Sequence, residues 1–138
     1  MKPKRFTMML GGALLIATVG CHVAHAATLD QILDAICTVE TGGRDVTGDH
    51  GAAIGPYQIH AAYWKDSGVP GRYEDCHDDA YSRQVILEYW RRYCPAAVKS
   101  LDAETLARVH NGGWNGMKKI ATLKYWVKVK ASLVGGVK

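Results

Sequence analysis

Leu29, Ile32, Leu33 and Ile36 recur at helical spacing, with Thr28 and Gln31 placed as a capping pair in front and Gly42-Gly43 as a break behind. Such a segment has one apolar face and must bury it, which commits the chain to a packed helical core. The run ends on Glu40. In the last turn its carboxyl meets the negative end of the helix dipole, and partial burial removes water; both disfavour the charged form. A carboxyl that stays protonated near neutral pH can donate that proton, and general-acid cleavage of a glycosidic bond requires such a donor. A lone glutamate at a helix end is most often an ordinary surface residue, so the weight rests on its companions along the chain.

Residues 1–26 read as a secretory signal. Lys2, Lys4 and Arg5 form a positive start, Met8 to Val19 an apolar stretch, and Ala24-His25-Ala26 a site for cleavage after Ala26. The apolar stretch is too short to span a bilayer, and no integral membrane span is expected. Lipidation at Cys21 is the lesser alternative, because Thr18 stands where a leucine is usual. One domain over residues 27–138 is expected, secreted or periplasmic and monomeric. The chain of 138 residues has a formal net charge of +4; the leader supplies three positive charges and no acid, so +1 remains without it. That balance leaves no nucleic-acid footprint. Lys118, Lys119, Lys124, Lys128, Lys130 and Lys138 crowd the end. A solvated helix face explains them most simply, although such a face could attract an anionic polymer.

Cys37, Cys76 and Cys94 remain after the leader. An oxidising compartment favours one disulfide and one spare thiol. The helix expected over Asp79 to Arg92 would span roughly 20 Å, whereas a disulfide needs Cα atoms within about 7 Å. Cys76 and Cys94 flank that helix and should not pair. Cys37 should pair with one of them, or all three stay reduced.

Periodicity predicts a mainly α chain, with about five helices around one core and a small irregular or β-like insert after the first helix. The insert is the polar, glycine-rich stretch 44–56. Tyr57-Gln58-Ile59 reads as a brief extended segment and His60 to Lys65 as a short helix. A third helix presents Tyr81, Val85, Ile86, Tyr89, Trp90 and Tyr93 on one broad face, and Pro95 stops it. Asp102 suits the N-cap of a fourth, which Gly112-Gly113 ends. The last runs from about Ile120 to Leu133, with Tyr125, Trp126 and Val129 inward. No repeat or linker divides the chain.

Hydrolysis of a sugar polymer usually takes two carboxyl groups, one neutral and one ionised. Glu40 suits the neutral role. Asp45 and Asp49 lie in the following loop, and Asp49 is preferred because a loop returning toward the helix end would bring it opposite Glu40. Alone, either aspartate could simply stabilise a turn. Gln58 can donate and accept, as an N-acetyl group or sugar hydroxyl demands, and Asn111 shares that capacity. Trp64 and Trp114 border glycine-rich loops and are the candidates for stacking on a sugar ring; Trp90 and Trp126 belong to the core. The candidate binding residues are therefore Tyr57, Gln58, Ile59, His60 and Trp64 in one group, and His110, Asn111, Gly112, Gly113 and Trp114 in another. Buried turns and helix caps would account for many of them without any ligand. No Gly-x-Ser-x-Gly elbow or His-Glu-x-x-His occurs, and the Cys76-His77 pair does not match zinc-ligand spacing, so neither metal nor cofactor is expected.

Five stretches, in order, resemble the invertebrate-type, destabilase-like lysozymes. They are Ile36 to Arg44, Gly55-Pro56-Tyr57-Gln58-Ile59, Tyr63-Trp64-Lys65-Asp66, Ala107 to Gly113, and Ala121 to Trp126 with Lys128-Val129. The glutamate followed by small residues and a Tyr-Gln-Ile segment also resembles the wider superfamily of lysozymes and soluble lytic transglycosylases. The resemblance implies a mostly helical lysozyme-like fold with a cleft. It further implies hydrolysis of the β-1,4 bond between N-acetylmuramic acid and N-acetylglucosamine in peptidoglycan, with Glu40 as proton donor and Asp49 as second carboxylate. Two other readings remain. A lytic transglycosylase would need Glu40 without the second carboxylate, and a non-catalytic peptidoglycan-binding module would need neither. The family's usual density of cysteines is missing. An isopeptidase activity attributed to some members is not expected, since the matching positions are Ala52, Ala53 and His60.

Overall fold

The computed structural model describes residues 26–136. The signal segment and its cleavage site thus fall almost entirely outside the described residues. Among the described residues six α-helices surround one core: α1 (Leu29–Thr41), α2 (Ala61–Ser67), α3 (Asp79–Tyr93), α4 (Pro95–Ser100), α5 (Ala103–Gly112) and α6 (Ala121–Gly135). Between α1 and α2 lies a small antiparallel sheet of β1 (Thr47–Gly48), β2 (Ala53–Ile54) and β3 (Ile59–His60), in that order. Thr47 faces Ile54 across one pair and Ile54 faces Ile59 across the other. The mainly α class with a β-insert after the first helix is therefore as expected.

The sequence signals for α1 act where they stand. The Thr28 side chain accepts from the Gln31 amide and Gln31 Oε1 accepts from the Thr28 amide at 2.8 Å, closing the capping box. Gly42 takes the left-handed conformation and its N–H donates to the Thr38 carbonyl, so the helix stops at Thr41, one residue beyond Glu40. Ile32, Leu33, Ala35 and Ile36 are buried. Fully burying one such aliphatic side chain contributes roughly 1.5–3 kcal/mol, so this face fixes α1 against the core. Val85, Ile86 and Trp90 of α3, Leu106 of α5 and Val129 of α6 complete its centre.

Polar clamps set the helix orientations. Arg83 on α3 donates to Asp34 on α1 and, at 2.7 Å, to Asp79. Arg108 on α5 is buried and fully engaged: Nε reaches Thr122 at 2.9 Å, one terminal nitrogen Glu104 at 2.9 Å, and the other the Met117 carbonyl at 2.8 Å. A planar guanidinium with three partners ties α5 to the start of α6 and so fixes the rotation of α6 about its axis.

Two expectations change, and one pair of alternatives is decided. Pro95 ends α3 but also opens α4, because a missing N–H costs nothing at the first helical position. Tyr57-Gln58-Ile59 is not one extended run. Gly55 and Gln58 both have positive φ, so the chain turns through Tyr57 and Gln58 and only Ile59–His60 joins the sheet. Cys37, Cys76 and Cys94 are all free thiols, so of the two alternatives the structure holds three reduced cysteines and not a Cys37 disulfide. Burial raises all three, Cys76 to about 12 and Cys94 to about 11, and each keeps its proton.

Candidate active site

A cleft of about 460 Å³ runs between the sheet and the helices. Glu40 at the end of α1 and Asp49 in the β-insert both line it. So do Gln58, Ile59 and His60, together with Tyr63 of α2, Tyr89 of α3, and His110, Asn111 and Gly113 at the end of α5. Residues 40 and 49 line one cleft, and the first helix is stitched to the insert: Thr41 Oγ1 donates to the Pro56 carbonyl at 2.9 Å, beside the glutamate.

Glu40 retains 18% side-chain exposure, little enough for desolvation and enough to reach a ligand. Its pKa is raised, chiefly by burial, against smaller opposing effects from Tyr125, His60 and Lys128. The Tyr125 hydroxyl donates to Glu40 Oε1 at 2.7 Å. That phenol keeps its proton, because burial and the neighbouring carboxyl push its own pKa far up. With Oε1 accepting, the acid proton of Glu40 belongs on Oε2.

His110 Nε2 lies 3.7 Å from Glu40 Oε1, but this is not an ion pair. Burial depresses the imidazole to about 4, so it is neutral near pH 7. Its hydrogen bonds fix the tautomer. Nε2 lies 3.2 Å from the Tyr57 carbonyl, which can only accept, so Nε2 carries the hydrogen. Nδ1 then accepts from the Tyr63 hydroxyl at 3.4 Å. Tyr63 in turn stacks on Tyr89 with ring centroids 3.7 Å apart. His110 thus connects the turn before β3, α2 and α5 behind the glutamate.

Asp49 differs in every respect. It stands on a three-residue 3₁₀ turn, Asp49–Gly51, in the left-handed conformation at φ 49°. Its side chain is 61% exposed and 3.5 Å from His60 Nε2. The competing Asp45 bonds His77 instead and lies outside the cleft wall. Carboxyl groups in one buried and one solvated setting therefore face a common groove.

The expected binding residues divide. His60, His110, Asn111 and Gly113 line the cleft, with Asn111 exposed. Gln58 lines it too, but its amide nitrogen is engaged by the carbonyls of Val46 and Gly55, both at 3.0 Å, holding the β-insert in shape. Ile59 supplies a buried wall. Tyr57 is wholly buried and contributes its carbonyl to His110 rather than its ring to the cleft. Gly112 gives close packing: a Cβ there would lie 2.6 Å from Thr122. Neither tryptophan lines the cleft. Trp64 Nε1 donates to the Tyr81 hydroxyl at 2.9 Å, and Trp114 is exposed outside the groove. Tyr63, Tyr89 and Asp66 line it without having been expected, and the Tyr125 bond to Glu40 was not expected either. All four sit on helices; Tyr89 and Tyr125 were read only as inward core positions, while Tyr63 and Asp66 belong to a stretch that carries the family resemblance without any assigned role.

A helical domain with a small β-insert, and a groove lined by both a desolvated glutamate and a solvated aspartate, defines a lysozyme-like glycoside hydrolase. The sequence profile of the destabilase family matches residues 29–132, and the chain belongs to that family of invertebrate-type lysozymes. It is 34% identical to a lysozyme of Magallana gigas over 88% of this chain and 91% of that one. An invertebrate-type lysozyme of Ruditapes philippinarum is 35% identical, covering 78% of this chain and 83% of its own. Among solved structures, Tapes japonica lysozyme superposes with a TM-score of 0.65 at 32% identity, covering 77% of this chain and 93% of that chain.

Proposed function

We propose that the cleft binds a β-1,4-linked amino-sugar chain and hydrolyses the bond between N-acetylmuramic acid and N-acetylglucosamine of peptidoglycan. One observation carries this reading. Glu40 has a burial-raised pKa, is held by Tyr125, and opens on a groove shared with Asp49. In the reaction Glu40 gives its proton to the bridging oxygen as the C1–O bond breaks. Asp49 attacks or stabilises the oxocarbenium-like centre. Water then adds at C1, and its proton restores Glu40. Tyr125 holds the acid and His110 packs beside it, while Asn111 and the Tyr63–Tyr89 stack are placed to contact the glycan.

The leader over residues 1–26 would deliver the domain to the periplasm or outside the cell, where the substrate lies, and the domain would act as a monomer. Mass spectrometry of peptidoglycan digested by the chain from Ala27 tests the chemistry. Reducing ends, one water heavier than 1,6-anhydro ends, are expected. Anhydro ends produced by both the parent and Asp49→Asn would establish transglycosylation instead, and no products at all would leave a binding module.

A further inference from the structure

The outer stripe of α6 does not line the cleft, yet it carries four of the six large apolar side chains exposed among the described residues. Ile120, Leu123, Val127 and Val134 are 83%, 42%, 66% and 71% exposed. Their separations of three, four and seven residues place them in one stripe along the helix. Thr122 and Val129 are buried on the opposite side, with Tyr125, Trp126 and Leu133 packed beside them. At 100° per residue, Lys130 flanks the stripe on one edge and Lys124 and Lys128 on the other, all exposed. No acidic residue occurs after Glu104. This is more than a solvated face: the apolar stripe would not be needed to keep lysines in water.

We propose that this face of α6 docks on an anionic lipid surface, with the stripe in the interface and the lysines on lipid phosphates. An amphipathic helix with apolar residues between rows of lysines has the chemistry for lying in that plane. Fifteen residues make a helix of about 22 Å, shorter than a bilayer core of roughly 30 Å, and no described helix is long and apolar enough to cross a membrane. Lying on the surface is the mode that fits. Packing α6 on the same face of a second copy would oppose lysine rows to lysine rows with no acid between them. A soluble polyanion would use the lysines and leave the stripe in water. Because none of the stripe residues lines the cleft, docking and glycan cleavage are separable.

Co-sedimentation of the chain from Ala27, which contains every described helix and strand, with vesicles tests the proposal. Phosphatidylcholine vesicles with and without phosphatidylglycerol are compared, at low and high salt. Binding to the anionic vesicles alone is expected, weakened by salt. The double change Lys124→Ala/Lys130→Ala lowers it about twenty- to thirtyfold, and Leu123→Ser/Val127→Ser lowers it at least about tenfold. Both variants should keep the parent's circular dichroism and its cleavage of soluble glycan fragments. Failure of the unaltered chain to bind anionic vesicles overturns the proposal. So does a serine pair that binds like the parent while the lysine pair is lost, which identifies charge alone and hence a polyanion. A concentration-dependent dimer abolished by the serine pair, without vesicle binding, assigns the face to a second copy.

Discussion

The Tyr125 hydroxyl donates to Glu40 Oε1 at 2.7 Å across 85 positions of sequence, joining the last turn of α1 to the second turn of α6. The bond has two effects of opposite use. It fixes the carboxyl in one orientation, and it favours the charged form, so it moderates the rise that burial imposes. Tyr125→Phe removes the bond and keeps the ring. Glu40 then titrates higher, and since the acid form is the active one, the alkaline limb of the pH–rate profile moves to higher pH. The maximal rate falls because the carboxyl is less well held, and stability drops by about 1 kcal/mol. A profile that stays in place would show that Tyr125 is only packing.

Glu40→Gln preserves an acceptor for Tyr125 and removes the proton to be donated. Turnover of peptidoglycan falls by about 10²–10⁴-fold, with thermal unfolding and binding of glycan fragments close to the parent. Calorimetric unfolding alongside a wall-digestion assay separates the two. Normal lysis by this variant would end the general-acid account.

Asp49→Asn tests the exposed partner. Loss of its charge lowers hydrolysis by about 10²–10³-fold if Asp49 supports the oxocarbenium-like centre. Asp45→Asn, on the His77 side of the insert, leaves the rate nearly unchanged. Product release measured for both variants on one substrate decides which aspartate serves the site.

His110 makes stability depend on pH. Its folded value of about 4 lies below the ordinary 6.5. Above pH 6.5 the imidazole is neutral in both states and its contribution is fully present. As pH falls from 6.5 to 4, the unfolded chain takes up the proton and the folded chain does not, so stability declines by roughly 3 kcal/mol in all. Urea midpoints measured across that range should fall with acid. His110→Asn should flatten the dependence.

Gly55→Ala probes the turn that shapes the insert. The backbone there has φ 77°, and a Cβ would sit 1.9 Å from the Cys76 carbonyl oxygen. Backbone cannot give way as a side chain can, so the substitution costs about 1–3 kcal/mol and displaces Gln58 and His60. Lower thermal stability together with weaker glycan binding is expected.

Much of the molecule was legible in the chain itself. Local chemistry sufficed for α1: the Thr28–Gln31 box, the spacing of Ile32, Leu33 and Ile36, and Gly42 fix both its ends and its buried face. With those ends fixed, Glu40 falls in the last turn whatever else the fold does. The N-cap at Asp102 and the glycine stop after α5 obey the same rule, because a cap reads only its own three or four neighbours. Five motifs in order likewise sufficed to place the chain among its relatives.

Tertiary structure decided what shares a cleft. Tyr125 looks like any inward aromatic of α6 until the Arg108 clamp sets that helix's rotation and aims the hydroxyl at Glu40. Trp64 borders a glycine-rich loop and still turns to Tyr81, while Tyr63, one residue earlier, faces the groove. Tyr57 and Gln58 were diverted by positive φ angles at Gly55 and Gln58, and the second falls on a residue whose type does not announce it. Helix periodicity and capping are set within a few residues of chain, so sequence determines them; desolvation of a carboxyl and the partner that holds it depend on segments many residues apart, and only their packing settles which side chain arrives.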